Sequence, residues 1–306
     1  MIPGEVERDG VKIFAPKLES KYDYNIGFKS MCRTLVKRTR NDYDAVLAIT
    51  GDEGVSKSTC AHQVGFATDP HYSFGRNVLY SPTVEDLVKA VRQLPRFSTI
   101  NADEAMKILY KQEWWLQTFL NKFYALCRQD NKISILCIPR FTDLNINFRE
   151  HRVLFWVHLL DRGIGVVMQK DWSPYTKDPW WFDKNQKRIE KMSKFRKFHQ
   201  FSLDQKISIL MKSQNFMDVV TFPDLPEAQR IEYKLQAATH KYEGMDAEYK
   251  KTVLGAKMKA RYNERFIKLN EFMKKQLGMT QDDVGKILGV PGSTVSHWLK
   301  EGITEE

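Results

Sequence analysis

The chain has 306 residues and a formal net charge of +10, from 48 Lys and Arg residues against 38 Asp and Glu residues. Hydrophobic residues make up 42% of it, which excludes a mainly disordered chain. The basic excess favours a polyanionic partner, most simply nucleic acid, although a solvated basic surface gives the same count.

Neither a membrane protein nor a disulfide framework is predicted. No apolar run is long enough to span a bilayer, and no signal peptide precedes the first domain, so we expect a cytoplasmic protein (host cytoplasm if viral). The four cysteines, Cys32, Cys60, Cys127 and Cys137, lack Cys-x-x-Cys spacing. They are expected to be reduced core residues and not a zinc site.

The first 40 residues predict a small N-terminal segment. Residues 1–23 contain Pro3, Gly4, Gly10 and Pro16, which is typical of a loop or small hairpin. Residues 25–40 predict a helix that carries five cations: Lys29, Arg33, Lys37, Arg38 and Arg40. This basic helix is interpreted either as a solvated face or as a contact with a DNA backbone.

Residues 44–59 predict a buried strand, a glycine turn and the start of a helix. A strand over 45–50, a glycine turn and a Lys-Ser pair form a phosphate-binding loop, in which backbone N–H groups and a helix N-terminus face an anion. Lys57 would reach the β- and γ-phosphates of ATP, and Ser58 would hold Mg²⁺. The expected nucleotide-binding residues are Gly51, Asp52, Glu53, Gly54, Val55, Ser56, Lys57, Ser58 and Thr59.

Ser56 departs from this pattern, because glycine is usual before the lysine. A serine supplies the same backbone N–H but tolerates positive φ poorly. The alternative interpretation of the stretch is an ordinary glycine turn capped by Ser56.

Residues 97–104 predict a short strand that ends in two adjacent carboxylates. In a nucleotide-hydrolysing site, Asp103 would hold Mg²⁺ and Glu104 would polarise the attacking water. The alternative is that both carboxylates favour the positive end of a following helix.

Strands alternate with helices over the rest of this region. Further strands are predicted at 77–80, 133–138, 153–160 and 164–170, and helices at 59–65, 83–94 and 105–129. This alternation indicates an α/β domain with a mostly parallel sheet flanked by helices, followed by an α-helical C-terminal region. The expected domains are an N-terminal segment over 1–40, an ATPase core over 41–175, a basic, aromatic and helical linker over 176–270, and a DNA-binding domain over 271–306.

The order of these parts resembles the additional-strand class of P-loop ATPases, in particular the FtsK/HerA-like and zonula occludens toxin-like ATPases. The matching pieces are Thr-Gly-Asp-Glu-Gly-Val-Ser-Lys-Ser-Thr (50–59), Asp-Pro (69–70), Asp-Glu-Ala (103–105), Arg-Gln-Asp-Asn-Lys (128–132) and the Arg149/Arg152 pair. The resemblance implies that the strand 133–138 lies between the P-loop strand and the Asp-Glu strand. It also implies a homo-oligomer, such as a ring, that moves, packages or remodels DNA.

Arginines are candidates for stabilising a departing γ-phosphate, within the subunit or across a ring. Arg128, Arg140, Arg149 and Arg152 are expected near the distal edge of the sheet, and Arg128 and Arg140 are the catalytic candidates that we select. Asn131 or Arg140 is a candidate sensor of the γ-phosphate. Surface salt bridges are the alternative for all four arginines.

The linker contains a basic and aromatic run over 180–198, followed by a connector over 201–226 and a polar, mostly helical segment over 227–274. The run suits either phosphate and base contacts or the solvated face of an amphipathic helix. No catalytic constellation is predicted in residues 227–274.

Residues 279–299 resemble a Cro-type helix-turn-helix. Thr280 and Asp283 predict a capping box, and Val284 and Val295 are expected to pack the two helices together. The resemblance implies double-stranded DNA as partner. The expected DNA contacts are Ser293, Thr294, Ser296, His297 and Lys300. A plain helical hairpin for packing or oligomerisation is the alternative.

Two functions therefore follow from the sequence. One is a DNA-bound ATPase that uses Mg²⁺ and ATP. The other is a DNA-binding regulator, or a replication or transposition accessory protein, whose nucleotide site is a switch. Ser56 favours the second, and the Lys57-Ser58 and Asp103-Glu104 pairs favour the first.

Overall fold

The computed structural model describes residues 5–8, 11–14, 21–80, 84–103, 127–193, 197–240, 280–288 and 291–301, with single positions at 267, 271, 274 and 275. The chain divides into two compact units, Met1–Lys241 and Tyr242–Glu306. In the described part of the chain, no helix combines the length and the apolar character needed to cross a membrane.

The first unit contains nine described strands. They are β1 Glu5–Arg8, β2 Val11–Phe14, β3 Ala45–Thr50, β4 Val78–Tyr80, β5 Thr99–Asp103, β6 Ile133–Cys137, β7 Val153–Asp161, β8 Ile164–Gln169 and β9 Phe216–Thr221. Its described helices are α1 Ile26–Arg40, α2 Lys57–Thr68, α3 Phe74–Asn77, α4 Val84–Gln93, α5 Ile146–His151, α6 Phe182–Ser193, α7 Leu203–Leu210 and α8, residues 227–240.

Seven of the strands form one sheet in the order β4-β5-β6-β3-β7-β8-β9. The five strands from β4 to β7 in that order are parallel, whereas β8 and β9 pair antiparallel with their neighbours. This confirms the predicted α/β fold class with a mostly parallel sheet. It also confirms that β6 lies between β3 and β5, the position that the sequence resemblance implies.

The centre of the sheet is buried on both faces. All six residues of β3 are buried, as expected for a parallel strand with an unbroken apolar run. Leu47 and Ile49 point to the face covered by α1 and α2. Val46 and Ala48 point to the opposite face, which α4 covers. All four cysteines are buried, in agreement with their predicted place in the core.

Helix α1 is fixed at its start by a polar cap that also joins it to the last strand. The Asn25 side chain accepts a hydrogen bond from the Phe28 N–H at 2.9 Å and one from the Thr221 N–H at 3.2 Å. Its amide donates to the Val219 carbonyl at 2.8 Å. Helix α1 is therefore attached to β9 as well as to the core.

The strand β9 differs from the sequence analysis, which assigns residues 201–226 to a connector. In the structure Phe216–Thr221 pairs with β8 and extends the sheet beyond residue 175, where the core was expected to end. Only Val220 of this strand is fully buried, so its apolar pattern is weak in the sequence.

The second unit contains two described helices, α9 Gln281–Leu288 and α10 Gly292–Glu301. The Thr280 N–H donates to Asp283 Oδ2 at 2.9 Å, and the Asp283 N–H donates to Thr280 Oγ1 at 3.3 Å, which forms the predicted capping box. Val284 and Val295 are both buried.

Candidate functional site

The loop between β3 and α2 has an unusual backbone. Three of its residues have positive φ: Gly51 at 149°, Gly54 at 82° and Ser56 at 71°. A Cβ atom at Gly51 would lie 2.9 Å from the Leu159 carbonyl oxygen, so this position also requires glycine for close packing against β7. Ser56 immediately precedes the first residue of α2. Such a turn directs successive N–H groups and a helix N-terminus towards one point, which suits an anion.

The Lys57 ammonium group lies over this loop. Its Nζ donates to the carbonyl oxygens of Gly51 at 2.8 Å and Asp52 at 2.9 Å. Lys57 is only half-buried, so these contacts can be exchanged for an incoming anion at low desolvation cost. The turn therefore carries a positive charge against its own carbonyl oxygens.

Ser58 and Asp103 meet across the sheet. Ser58 Oγ donates to Asp103 Oδ1 at 2.9 Å, although the two residues are 45 positions apart. Asp103 ends β5, is only 6% exposed, and stands at the same carboxyl edge of the sheet as the loop. A hydroxyl and a carboxylate are oxygen ligands of the kind that Mg²⁺ prefers. The residues present thus fit a magnesium ion next to the phosphate-binding loop.

Strand β7 supports the base of the loop. Trp156 Nε1 donates to Thr50 Oγ1 at 2.7 Å, and His158 Nδ1 lies 2.9 Å from the same oxygen. Burial lowers the pKa of His158, so its imidazole is neutral near pH 7. Neither side chain was singled out from the sequence, because a single Trp or His on a strand gives no motif.

A tyrosine from α8 reaches the same carboxylate. The Tyr233 hydroxyl donates to Asp103 Oδ2 at 2.7 Å, so the two oxygens of Asp103 have different donors. The sequence analysis found no constellation over 227–274, and no spacing signal links Tyr233 to a residue 130 positions earlier.

Of the other predicted catalytic residues, only some lie at this edge. Glu104 falls outside the described residues and stays a prediction from the sequence. The same holds for the side chain of Lys300, a predicted DNA contact. Arg140 follows β6, stands at the carboxyl edge of the sheet and is exposed. Its side chain has no hydrogen bond or ion pair with another residue in the part of the chain that the structure describes. Arg140 therefore stays a candidate.

The predicted position of Arg128 is wrong. Its guanidinium lies 5.5 Å from the centre of the Tyr43 ring, at the amino ends of the strands. Strand β3 has six residues, which places the loop roughly 20 Å away. The reason is strand polarity: Arg128 precedes β6, whereas only residues that follow a parallel strand reach the edge with the loop. Within one subunit Arg128 cannot contact a phosphate bound there.

Asn131 and Arg152 are misplaced for the same reason. The Asn131 amide donates to Asp42 Oδ1 at 3.1 Å, and Arg152 lies 3.9 Å from Asp44 Oδ2, both at the amino edge. Arg149 in α5 lies 4.3 Å from the centre of the Phe182 ring, and burial lowers its pKa. Arg149 is thus committed to packing.

In the second unit, the predicted DNA contacts are not equivalent. Ser293 and His297 are exposed on α10, whereas Thr294 and Ser296 are half-buried. Ser296 Oγ donates to Gln281 Oε1 and so joins α10 to α9. Gly292 faces Asp282 so closely that a Cβ would lie 3.0 Å from the Asp282 Cα, which explains a glycine at this helix start.

Comparisons with known proteins give little further information. No family model and no curated protein matches the chain. Among solved structures it is similar to the replication initiator DnaA bound to AMPPCP and single-stranded DNA, with 13% identity, a TM-score of 0.31, and 90% of this chain and 85% of that chain covered. The chain is also similar to AMPPCP-bound DnaA from Aquifex aeolicus, with 13% identity, a TM-score of 0.30, and 89% of this chain and 85% of that chain covered. A third similar structure is the crystal structure of a DNA replication initiation factor, with 13% identity, a TM-score of 0.30, and 85% of this chain and 72% of that chain covered.

The left-handed conformation of Ser56 gives a first prediction. A non-glycine residue there costs about 1–2 kcal/mol, and the buried Ser56 hydroxyl has no hydrogen-bond partner in the part of the chain that the structure describes. Ser56→Gly is expected to match or exceed the wild-type free energy of unfolding, with nucleotide affinity retained. Ser56→Val should lose about 1–3 kcal/mol, because a β-branched residue is strained at positive φ. Urea unfolding of the full chain measures both.

The control is Ser30→Gly in the middle of α1, where glycine should cost about 0.5 kcal/mol. A Ser56→Val variant as stable as the wild type would contradict the backbone conformation described for the loop.

Proposed function

We propose that this chain is a DNA-binding ATPase that binds ATP with Mg²⁺ at residues 51–59 and hydrolyses it. The observation that carries the proposal is the 2.9 Å contact between Ser58 Oγ and Asp103 Oδ1 beside the Lys57 ammonium group. A phosphate-binding turn, a cation and two oxygen ligands, one from α2 and one from β5, lie at one edge of the sheet. An ordinary glycine turn requires neither the cation nor the two oxygen ligands.

Each residue of the site has a separate task in this proposal. The loop N–H groups and the N-terminus of α2 bind the phosphates, and Lys57 exchanges its two carbonyl partners for phosphate oxygens. Ser58 and Asp103 hold the metal, which when bound neutralises charge on the β- and γ-phosphates. Glu104, by its place in the sequence, orients and polarises the attacking water.

The position of β6 supports the additional-strand class. Residues that follow β6 stand directly beside the loop, because β6 is the neighbour of β3. Arg140 is the exposed cation there, and we assign to it the stabilisation of charge on the γ-phosphate, in its own subunit or across a homo-oligomer. A ring that moves DNA is the assembly that the sequence resemblance implies.

A basic groove along α1 supports binding to a polyanion. It has a volume of about 760 Å³, and its rim carries four exposed cations, Lys29, Arg33, Lys37 and Arg40. None of them pairs with a carboxylate of another described residue. They recur every three or four residues, so they lie along one side of the helix. This row is suited to successive phosphates of a DNA backbone.

The second unit supplies the other proposed DNA contact. Helix α10, with Ser293 and His297 exposed, would enter the major groove of double-stranded DNA while α9 supports it. The bond from Ser296 to Gln281 removes one of the predicted base contacts, so few side chains are left to distinguish bases. We therefore assign to this unit a contact of low sequence specificity.

A second candidate function is a DNA-binding switch that binds ATP without turning it over. The strained Ser56 favours it, because glycine would form the same loop at lower cost. ATP hydrolysis by the full chain, with and without duplex DNA, separates the two. A DNA-stimulated rate supports the ATPase, and tight binding with no turnover supports the switch.

The α1 row gives a prediction for DNA affinity. The triple variant Lys29→Gln, Arg33→Gln, Lys37→Gln should bind duplex DNA more weakly at every sequence. Each lost phosphate contact should reduce the slope of log K against log salt by about 0.9. Fluorescence anisotropy across a salt series measures the slope.

The matched control removes three exposed cations elsewhere: Arg76→Gln, Lys89→Gln, Arg92→Gln. This control has the same net charge as the α1 triple variant, but it should keep the wild-type slope of log K against log salt. Equal slopes in the two triple variants would show that only net charge matters and that α1 is a solvated face.

A further inference from the structure

Tyr233 of α8 reaches the carboxylate of Asp103 and also interacts with the Ser58 side chain. Its hydroxyl donates to Asp103 Oδ2 at 2.7 Å, while Oδ1 accepts from Ser58 at 2.9 Å. One donor is therefore itself a metal-ligand candidate, whereas the other belongs to α8, outside the phosphate-binding loop. We propose that Tyr233 is a positioning residue that holds Asp103 for magnesium; this rests on the function proposed above.

The two contacts behave differently when a metal binds. The Ser58 oxygen would offer a lone pair to the ion while its O–H can go on donating to Oδ1, and Oδ1 would take the ion as a further partner. Both atoms of this contact therefore change surroundings. Tyr233 is not a ligand candidate, so its bond to Oδ2 does not have to change. It can keep the carboxylate plane fixed while Oδ1 takes up the ion.

The aromatic side chains around Tyr233 fix the position of its hydroxyl. The centre of its ring lies 4.6 Å from that of His62, 5.9 Å from that of Tyr80 and 6.0 Å from that of Phe74. These rings restrict the rotamer of Tyr233, so the phenol adds little mobility to Asp103. A phenol keeps its proton throughout the neutral range, so the Tyr233 hydroxyl remains a donor there.

Magnesium makes such positioning consequential. The ion requires nearly ideal octahedral geometry at about 2.0–2.1 Å, so a carboxylate free to rotate is a poorer ligand. Residues that hydrogen-bond to ligands typically change metal affinity by about 10- to 100-fold when they are removed. Tyr233 should therefore affect the magnesium dependence of the site and leave the phosphate contacts of the loop unchanged.

The test is Tyr233→Phe in the full chain, with Tyr80→Phe as matched control. Both variants remove one hydroxyl from the same aromatic cluster, but the Tyr80 hydroxyl is buried and has no hydrogen-bond partner among the described residues. Two titrations are made with a fluorescent ATP analogue: Mg²⁺ against analogue binding at a fixed analogue concentration, and protein against analogue in EDTA. We expect Tyr233→Phe to raise the half-saturating Mg²⁺ concentration by about 10-fold or more. Metal-free nucleotide affinity should stay within about twofold, and Tyr80→Phe should change neither value.

The outcomes are distinguishable. Wild type that shows no Mg²⁺-dependent nucleotide binding overturns the proposed function and this inference together. If wild type binds Mg-ATP and Tyr233→Phe has the same Mg²⁺ dependence as Tyr80→Phe, only the inference is overturned. A lower half-saturating concentration in Tyr233→Phe also overturns it, since Tyr233 would then compete with the metal. A parallel loss of metal-free nucleotide affinity would show a merely structural role.

Discussion

Replacement of Lys57 by alanine is expected to abolish nucleotide binding at micromolar concentrations. The side chain supplies the positive charge over the loop, and two charge-assisted hydrogen bonds are worth about 3–6 kcal/mol together. A loss of even the lower figure raises Kd by about 100-fold. Titration of a fluorescent ATP analogue against the full chain measures the change.

The control for Lys57→Ala is Lys37→Ala, an exposed lysine of α1 on a different element. It removes the same charge and should leave nucleotide affinity unchanged. In the ligand-free protein Lys57 also joins the carbonyls of Gly51 and Asp52. Circular dichroism and urea unfolding should show that both variants remain folded, so that a lost affinity reports the site.

Glu104→Gln is the companion variant that separates binding from turnover. If Glu104 polarises water, the amide should bind Mg-ATP about as tightly as wild type and hydrolyse it at least about 100-fold more slowly. Unchanged rates in both Lys57→Ala and Glu104→Gln would rule out the assigned site. Unchanged binding in Lys57→Ala alone would place the phosphates elsewhere.

The part of the site that could be predicted from the sequence is formed by residues that are contiguous in the chain. The run from Ala45 to Thr59 contains strand, turn and helix start within 15 residues, and the turn imposes the geometry of its own N–H groups. Asp103 was identifiable because it is the first of two adjacent carboxylates at the end of a short predicted strand. The pairing of Ser58 with Asp103 then follows from parallel strands sharing one carboxyl edge.

The residues that were missed are fixed by contacts distant in sequence. Strand β9 pairs with β8 although only Val220 is fully buried, so its period-2 pattern is faint. Tyr233 reaches Asp103 from a polar helix whose composition indicates nothing about the site. Arg128 was misplaced because charge alone does not reveal on which side of its strand a residue falls. Topology, and not composition, decides each of these cases.

Behind the candidate site lies a buried polar cluster that the sequence did not reveal. His62 of α2 is fully buried, and its Nδ1 lies 2.9 Å from the Tyr72 hydroxyl. The Asn101 amide donates to the same hydroxyl at 3.2 Å. His62 Nε2 has no hydrogen-bond partner among the described residues. Protonation would therefore create an imidazolium whose second N–H has no acceptor.

This environment predicts a large acid sensitivity. Burial lowers the pKa of His62 to about 3, whereas the unfolded chain has the ordinary value of about 6.5. Between these values the unfolded state binds a proton that the folded state does not. The free energy of unfolding should thus be unaffected by His62 above about pH 6.5, and should fall by about 1.4 kcal/mol per pH unit below it, down to about pH 3.

The variant His62→Gln removes the titration and keeps a polar group near Tyr72. Between pH 7 and pH 4.5 its loss of unfolding free energy should be smaller than that of wild type by about 2–3 kcal/mol. Because the comparison is a difference between two pH values, any constant packing cost of glutamine cancels. The control His71→Gln, at an exposed position, should retain the wild-type pH dependence. Urea unfolding at several pH values gives the slopes, and a wild-type slope in His62→Gln would show that the folded protein accepts a proton at His62, against the burial described here.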